Sequence, residues 1–424
     1  MKRLFIHIGM PKTGSTAIQH FLEVNQEQLA QNGISYVKAG RGRREGVSHS
    51  QLALDFMWRK LKSYKSATQH QLNRISSNLQ AVATEILESD FTSYVISYEG
   101  LFPLFVDDLA KQNDKLSKLY IKWLIELADY CEIIFIVYLR RQDQWVESLY
   151  AQYQKGGDTP IRLFGFHEFV KLVEASGQLD YHRIVANLRQ LPGVSEVVVR
   201  VFEKSQLLDR DVVADFMAVL GVTDISAYSR DTEENRNHFS RPYTILLHQA
   251  ALTGIDREFR DAVELISHRD KRGAEYPSYF MSPQERADLV AKYQDSNRAA
   301  AKDYLDRNQL FNSKPTIKED PNWTPPSDPG PEFWSAVVYE ALAHSYRVGN
   351  NLVSSSLDSL LAITEHQEEL LWHITELIEQ QQRDIEELRR ELKGQSGPAK
   401  QKSKEMITKF DRYLPAGLRA TTAQ

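Results

Sequence analysis

Residues 9–16 read Gly-Met-Pro-Lys-Thr-Gly-Ser-Thr, which puts one cation, three hydroxyls and two glycines into eight positions. Before them, Leu4, Phe5, Ile6 and Ile8 form an apolar run suited to a strand buried on both faces. After them, Ile18, Phe21 and Leu22 mark one helical face. A strand, a glycine-containing loop and a helix start together predict an anion cradle. Backbone N–H groups and the positive helix end converge there. Pro11, Lys12, Thr13, Gly14, Ser15 and Thr16 are the candidate binding residues, with Lys12 as the mobile charge and Ser15 and Thr16 as added donors. The nucleotide-triphosphatase loop differs, because its lysine directly follows the second glycine.

A second constellation follows the most apolar stretch of the chain, residues 133–139. Arg140 stands at the predicted strand end. Ser148 falls just over one turn into a helix whose apolar face is Val146, Leu149, Tyr150 and Tyr153. Asp143 is the expected N-cap of that helix, and Gly156-Gly157 its expected end. A guanidinium and a hydroxyl so placed grip one phosphate from two sides.

The first stretch resembles the 5′-phosphosulfate loop of sulfotransferases that use 3′-phosphoadenosine 5′-phosphosulfate (PAPS). The pair Arg140 and Ser148 is similar to their 3′-phosphate motif, and the Arg-Arg-Gln-Asp form at 140–143 is most similar to bacterial members. The resemblance covers residues 1–312. It implies an α/β protein with a P-loop-type parallel sheet flanked by helices. It also implies PAPS as donor substrate without a metal, and a hydroxyl acceptor on a carbohydrate or glycolipid. By position alone it gives Arg236, in the polar loop 229–242, a place at the 3′-phosphate. Lys12 would neutralise charge on the leaving oxygen. The proton acceptor would be Glu99, which follows the strand expected at 94–98, or His49, which follows the short strand at 34–37. Two other readings stay open: a small-molecule kinase using MgATP, and a non-catalytic nucleotide-binding module whose function is assembly.

The whole chain has 424 residues, 42% hydrophobic and 26% charged, which predicts a globular protein of two to three domains. A net charge of −5 argues against nucleic acid as partner. Cys131 is the single cysteine, which excludes an internal disulfide and fits a reducing, cytoplasmic setting. No signal peptide or membrane span is legible. Helices are expected from the cradle to residue 31, at 52–61, 66–90 and 115–130, and at 242–253, 257–268 and 283–305. The basic loop 38–46, with Arg41, Arg43 and Arg44, reads as solvated or as a rim for an anion. Prolines crowd residues 313–331, a linker. A helical extension (332–394) follows, then a basic, mostly disordered tail (395–424). Within the extension, apolar residues recur every three and four positions from Leu360 to Leu392. That period predicts a coiled coil over 357–392 and self-association, with a single packed helix as the alternative.

Overall fold

The computed structural model describes residues 1–42, 47–53, 68–105, 115–155, 160–230, 241, 243–245, 247–248, 279–315 and 323. The chain divides into two compact units, Met1–Val337 and Val338–Gln424. Arg236, Arg43, Arg44, Gly156 and Gly157, most of the helices expected at 52–61 and 242–253, the helix expected at 257–268, most of the linker, the coiled coil and the basic tail lie outside the described residues.

The first unit is built on five parallel strands, β1 (Lys2–Gly9), β2 (Ile34–Tyr36), β3 (Ser93–Ser97), β4 (Cys131–Leu139) and β5 (Val194–Val201). Their order in the sheet is β2-β3-β1-β4-β5. The helices between them are α1 (Ser15–Val24), α2 (Gln26–Gln31), α3 (Gln69–Glu88), α4 (Phe102–Phe105), α5 (Lys115–Ala128), α6 (Gln142–Lys155), α7 (Phe166–Ser176) and α8 (Tyr181–Arg189). After β5 come α9 (Val212–Val219), α10 (Pro283–Lys292) and α11 (Gln294–Leu305). Among the described residues no helix is long and apolar enough to cross a membrane.

The strands are apolar on both faces because both faces are covered. Leu4, Ile6, Ile8, Ile133, Phe135 and Val137 pack under α3, α5, α6 and α8. Phe5, Val95, Ile134, Ile136 and Tyr138 pack under α1 and α9. Phe135 is fully buried, so Phe135→Ala costs about 3–5 kcal/mol in lost transfer energy and cavity.

This layering fixes where a ligand can sit. From β1 the chain crosses outward over one face through α1, to β2. From β2, β3 and β4 it returns in the opposite sense over the other face. Neighbouring strands β1 and β4 therefore send their chains away in opposite directions. Their carboxyl ends mark the switch point of the sheet, which is the ligand-binding position of open α/β sheets.

Three expected elements differ. The first helix breaks at Asn25, whose amide donates to the Phe21 carbonyl (2.9 Å) and the Ser229 carbonyl (3.0 Å) and accepts from the Ser229 N–H (2.7 Å). The helix expected over 283–305 is α10 and α11, separated at Tyr293. Asp143 is not an N-cap. Its buried carboxylate lies inside the first turn of α6, taking Arg141 Nε (2.7 Å) and Nη2 (2.9 Å) and Arg286 Nε (3.2 Å). The pairing binds α10 to the start of α6.

Candidate functional site

The turn after β1 is shaped by its backbone. The β1–β4 register shifts between His7 and Gly9, and Gly9, Lys12 and Gly14 all have positive φ (84°, 64° and 83°). Lys12 holds a left-handed conformation without being glycine, a strain that the surroundings must stabilise. Those surroundings hold the loop's carbonyls. Thr13 Oγ1 donates to the Met10 carbonyl (2.6 Å), Trp145 Nε1 to that of Pro11 (2.8 Å) and Arg140 Nη1 to that of Lys12 (2.8 Å). The N–H groups of residues 12–17, by contrast, have no partner among the described residues. They are the orphan donors of a helix start, gathered in one turn. Thr16 is exposed and Ser15 buried, while the buried Thr13 hydroxyl is spent inside the loop.

Two cations flank these donors. The Lys12 ammonium lies near Gln152 Oε1 (3.2 Å). Burial draws its pKa down to about 8, the nearby Arg140 adds to the fall, and Glu99 opposes it. Arg140 follows β4, the strand next to β1. Its guanidinium stands 5.6 Å from the Phe202 ring centre, and its carbonyl takes the Tyr181 hydroxyl. Phe202 also backs the loop, since a Cβ on Gly14 would fall 3.3 Å from its ring and 2.9 Å from Val212 Cγ1. Ser148 is half-buried one turn before Gln152 on α6, so its hydroxyl shares the helical stripe that reaches Lys12. Next to it, Glu147 accepts the N–H groups of Phe280 (3.0 Å) and Met281 (2.8 Å). Burial pushes this carboxyl up to about 8 against the pull of those bonds.

Glu99 opens a short 3-10 turn, Glu99–Leu101, directly after β3 on the other side of β1. A Cβ on Gly9 would lie 3.0 Å from Glu99 Cβ, so the glycine lets the two strand ends close up. Gln19 Nε2 donates to Glu99 Oε2 (2.9 Å). Lys12, Arg140 and Glu99 thus meet at the tips of three adjacent strands.

His49 occupies a different setting. It is fully buried, its Nε2 donates to the Val37 carbonyl (2.8 Å) and its Nδ1 accepts the Ser97 N–H (3.2 Å). Burial, reinforced by Arg41, holds its pKa down at about 3, so the ring is neutral. With both nitrogens engaged, His49 is a strut between the ends of β2 and β3 rather than a side chain open to a substrate. Arg41 is also turned inward. It lies 4.1 Å from the Tyr36 ring centre, donates to the Val37 carbonyl (2.7 Å) and pairs with Glu23.

Phe202, Gln19, Gln152 and Glu147 were not singled out from the sequence. Gln19 has one visible signal, an amide beside the apolar positions of α1. Among the described residues no group of three or more His, Cys, Asp or Glu side chains gathers around a potential metal position.

Fold and site define a parallel α/β protein whose first strand–loop–helix turn, flanked by a lysine and an arginine, can receive a polyanion. No protein-family model matches the chain, and no solved structure matches it significantly. It is similar to a protein of Archaeoglobus fulgidus described as uncharacterized, with 23% identity over 189 residues. The match covers 43% of this chain and 49% of that protein, about half the relative's length.

Proposed function

We propose that the chain is a PAPS-dependent sulfotransferase acting on a hydroxyl of a carbohydrate or glycolipid. The observation that supports this reading best is the contact between two strand tips, the Arg140 guanidinium on the Lys12 carbonyl at 2.8 Å. In this reading the paired tips would offer a cation and orphan amides to a 5′-phosphate and a second cation to a 3′-phosphate.

In this reading Lys12 and the amides of residues 12–16 hold the 5′-phosphate, and Arg140 and Ser148 hold the 3′-phosphate. The acceptor oxygen attacks sulfur in line. The bond from sulfur to the 5′-phosphate oxygen breaks, and adenosine 3′,5′-bisphosphate leaves with its new charge on Lys12. Glu99 accepts the hydroxyl proton as the new bond forms. Positioning and charge stabilisation supply most of the rate, with about 10²–10⁴-fold from the base. The sequence of tips, Glu99 on β3, Lys12 on β1 and Arg140 on β4, would order acceptor, sulfuryl group and nucleotide along one edge. Association through residues 357–392 and a cytoplasmic site of action, consistent with a single cysteine, complete the reading.

The test is transfer from radiolabelled PAPS to an oligosaccharide panel by the full-length chain. Labelled product that disappears in Lys12→Met supports the reading. Phosphoryl transfer from MgATP, with none from PAPS, would replace it by the kinase reading.

A further inference from the structure

Helix α1 buries five side chains: Ser15, Ile18, Gln19, Phe21 and Leu22. Gln19, 3% exposed, is the longest polar one, and its amide nitrogen bridges two oxygens. One is Glu99 Oε2 (2.9 Å), the other Ser97 Oγ (3.3 Å) on β3. A carboxylate only accepts, so the amide's nitrogen must face it, and its two hydrogens are both used. Ser97 Oγ, receiving one of them, is also hydrogen-bonded to His7 Nδ1, 2.8 Å away. His7 is fully buried on β1, where it pairs in register with Ser97. Burial keeps His7 neutral, its pKa drawn down to about 3. Gln19 thus joins Glu99 to a buried polar pair, Ser97 on β3 and His7 on β1.

We infer that Gln19 is a positioning residue for Glu99, fixing one carboxylate oxygen so that the other is presented to the acceptor hydroxyl. The inference rests on the reading of Glu99 as base. Its mechanical content lies in α1. The first turn of that helix carries the phosphate-binding amides, and one turn later the same helix holds the base. A single rigid element therefore sets the spacing between leaving group and proton acceptor, and the carboxylate, which only accepts, keeps the amide from turning over. Oε1 of Glu99 has no partner among the described residues, so the tether leaves it available.

The experiment uses the full-length chain and the variants Gln19→Leu, Glu99→Ala and their combination. Leucine keeps the volume and removes the donor. In denaturant unfolding, the midpoint loss caused by Gln19→Leu should shrink by about half in the Glu99→Ala background, because the contact is already gone there. With radiolabelled PAPS and the oligosaccharide panel, Gln19→Leu should lower kcat about tenfold while the dissociation constant for adenosine 3′,5′-bisphosphate stays within about twofold. A residue that only supports the fold would not split the two in this way. Strictly additive midpoint losses, or an unchanged kcat, would overturn the inference. Wild-type protein that transfers nothing from PAPS overturns the underlying reading instead. That failure leaves the midpoint coupling in place, whereas failure of the contact abolishes it.

Discussion

His49 and Glu99 stand at the same carboxyl edge of the sheet, and both could be expected to take a proton. Their surroundings divide them. His49 gives both ring nitrogens to the backbone of Val37 and Ser97 and is fully buried. Glu99 is half-buried, has one oxygen tethered by Gln19, and lies against the turn that carries Lys12. Place in the chain puts Glu99 first and His49 second as the proton acceptor. What separates them is unspent hydrogen-bonding capacity.

The difference can be broken or sharpened by substitution. Glu99→Gln is expected to lower kcat about a thousandfold, whereas His49→Gln, which can still donate and accept, should change it by no more than about threefold. Steady-state assays on both variants measure this directly, and equal losses would erase the distinction. A smaller effect is expected at the nucleotide end. Arg140→Ala should weaken adenosine 3′,5′-bisphosphate about thirtyfold, the scale of one charge-assisted bond of about 2 kcal/mol.

Lys12 gives a pH dependence with a defined sign. Its ammonium is charged below about 8 and neutral above, so affinity for the bisphosphate should fall with rising pH, by up to about tenfold per unit past that point. Lys12→Arg should flatten the curve. The strut gives a second pH dependence, in stability rather than affinity. His49 folds as a neutral ring with its pKa near 3, so the unfolded chain binds more protons between about pH 6.5 and that value. Stability contributed by the neutral ring is complete above about pH 6.5 and declines as pH falls through that window. Thermal melts of His49→Gln should show a shallower acid decline than wild type.

The sheet, the turn after β1 and the arginine after β4 are legible in the sequence because each has a local signature. Uninterrupted apolar runs demand burial on both faces, and paired glycines mark the left-handed turn. Features set by distant contacts are not legible. Asp143 has the composition of an N-cap, yet Arg286, far along the chain, claims its carboxylate. Asn25 ends the first helix through a bond to Ser229. Gln19, Ser97 and His7 are ordinary polar residues in three separate elements until β1 and β3 align them in register. Thr13 could be read as a ligand donor from its spacing, but its hydroxyl closes the loop on Met10.

Calorimetric titration with adenosine 3′,5′-bisphosphate in metal-free buffer, beside ATP with Mg²⁺, tests most directly whether Lys12 and Arg140 serve one donor nucleotide. Tight bisphosphate binding by the wild-type chain is expected, weakened by Lys12→Met and by Arg140→Ala alike. Binding of MgATP but not of the bisphosphate, or a bisphosphate affinity indifferent to Arg140, would contradict it.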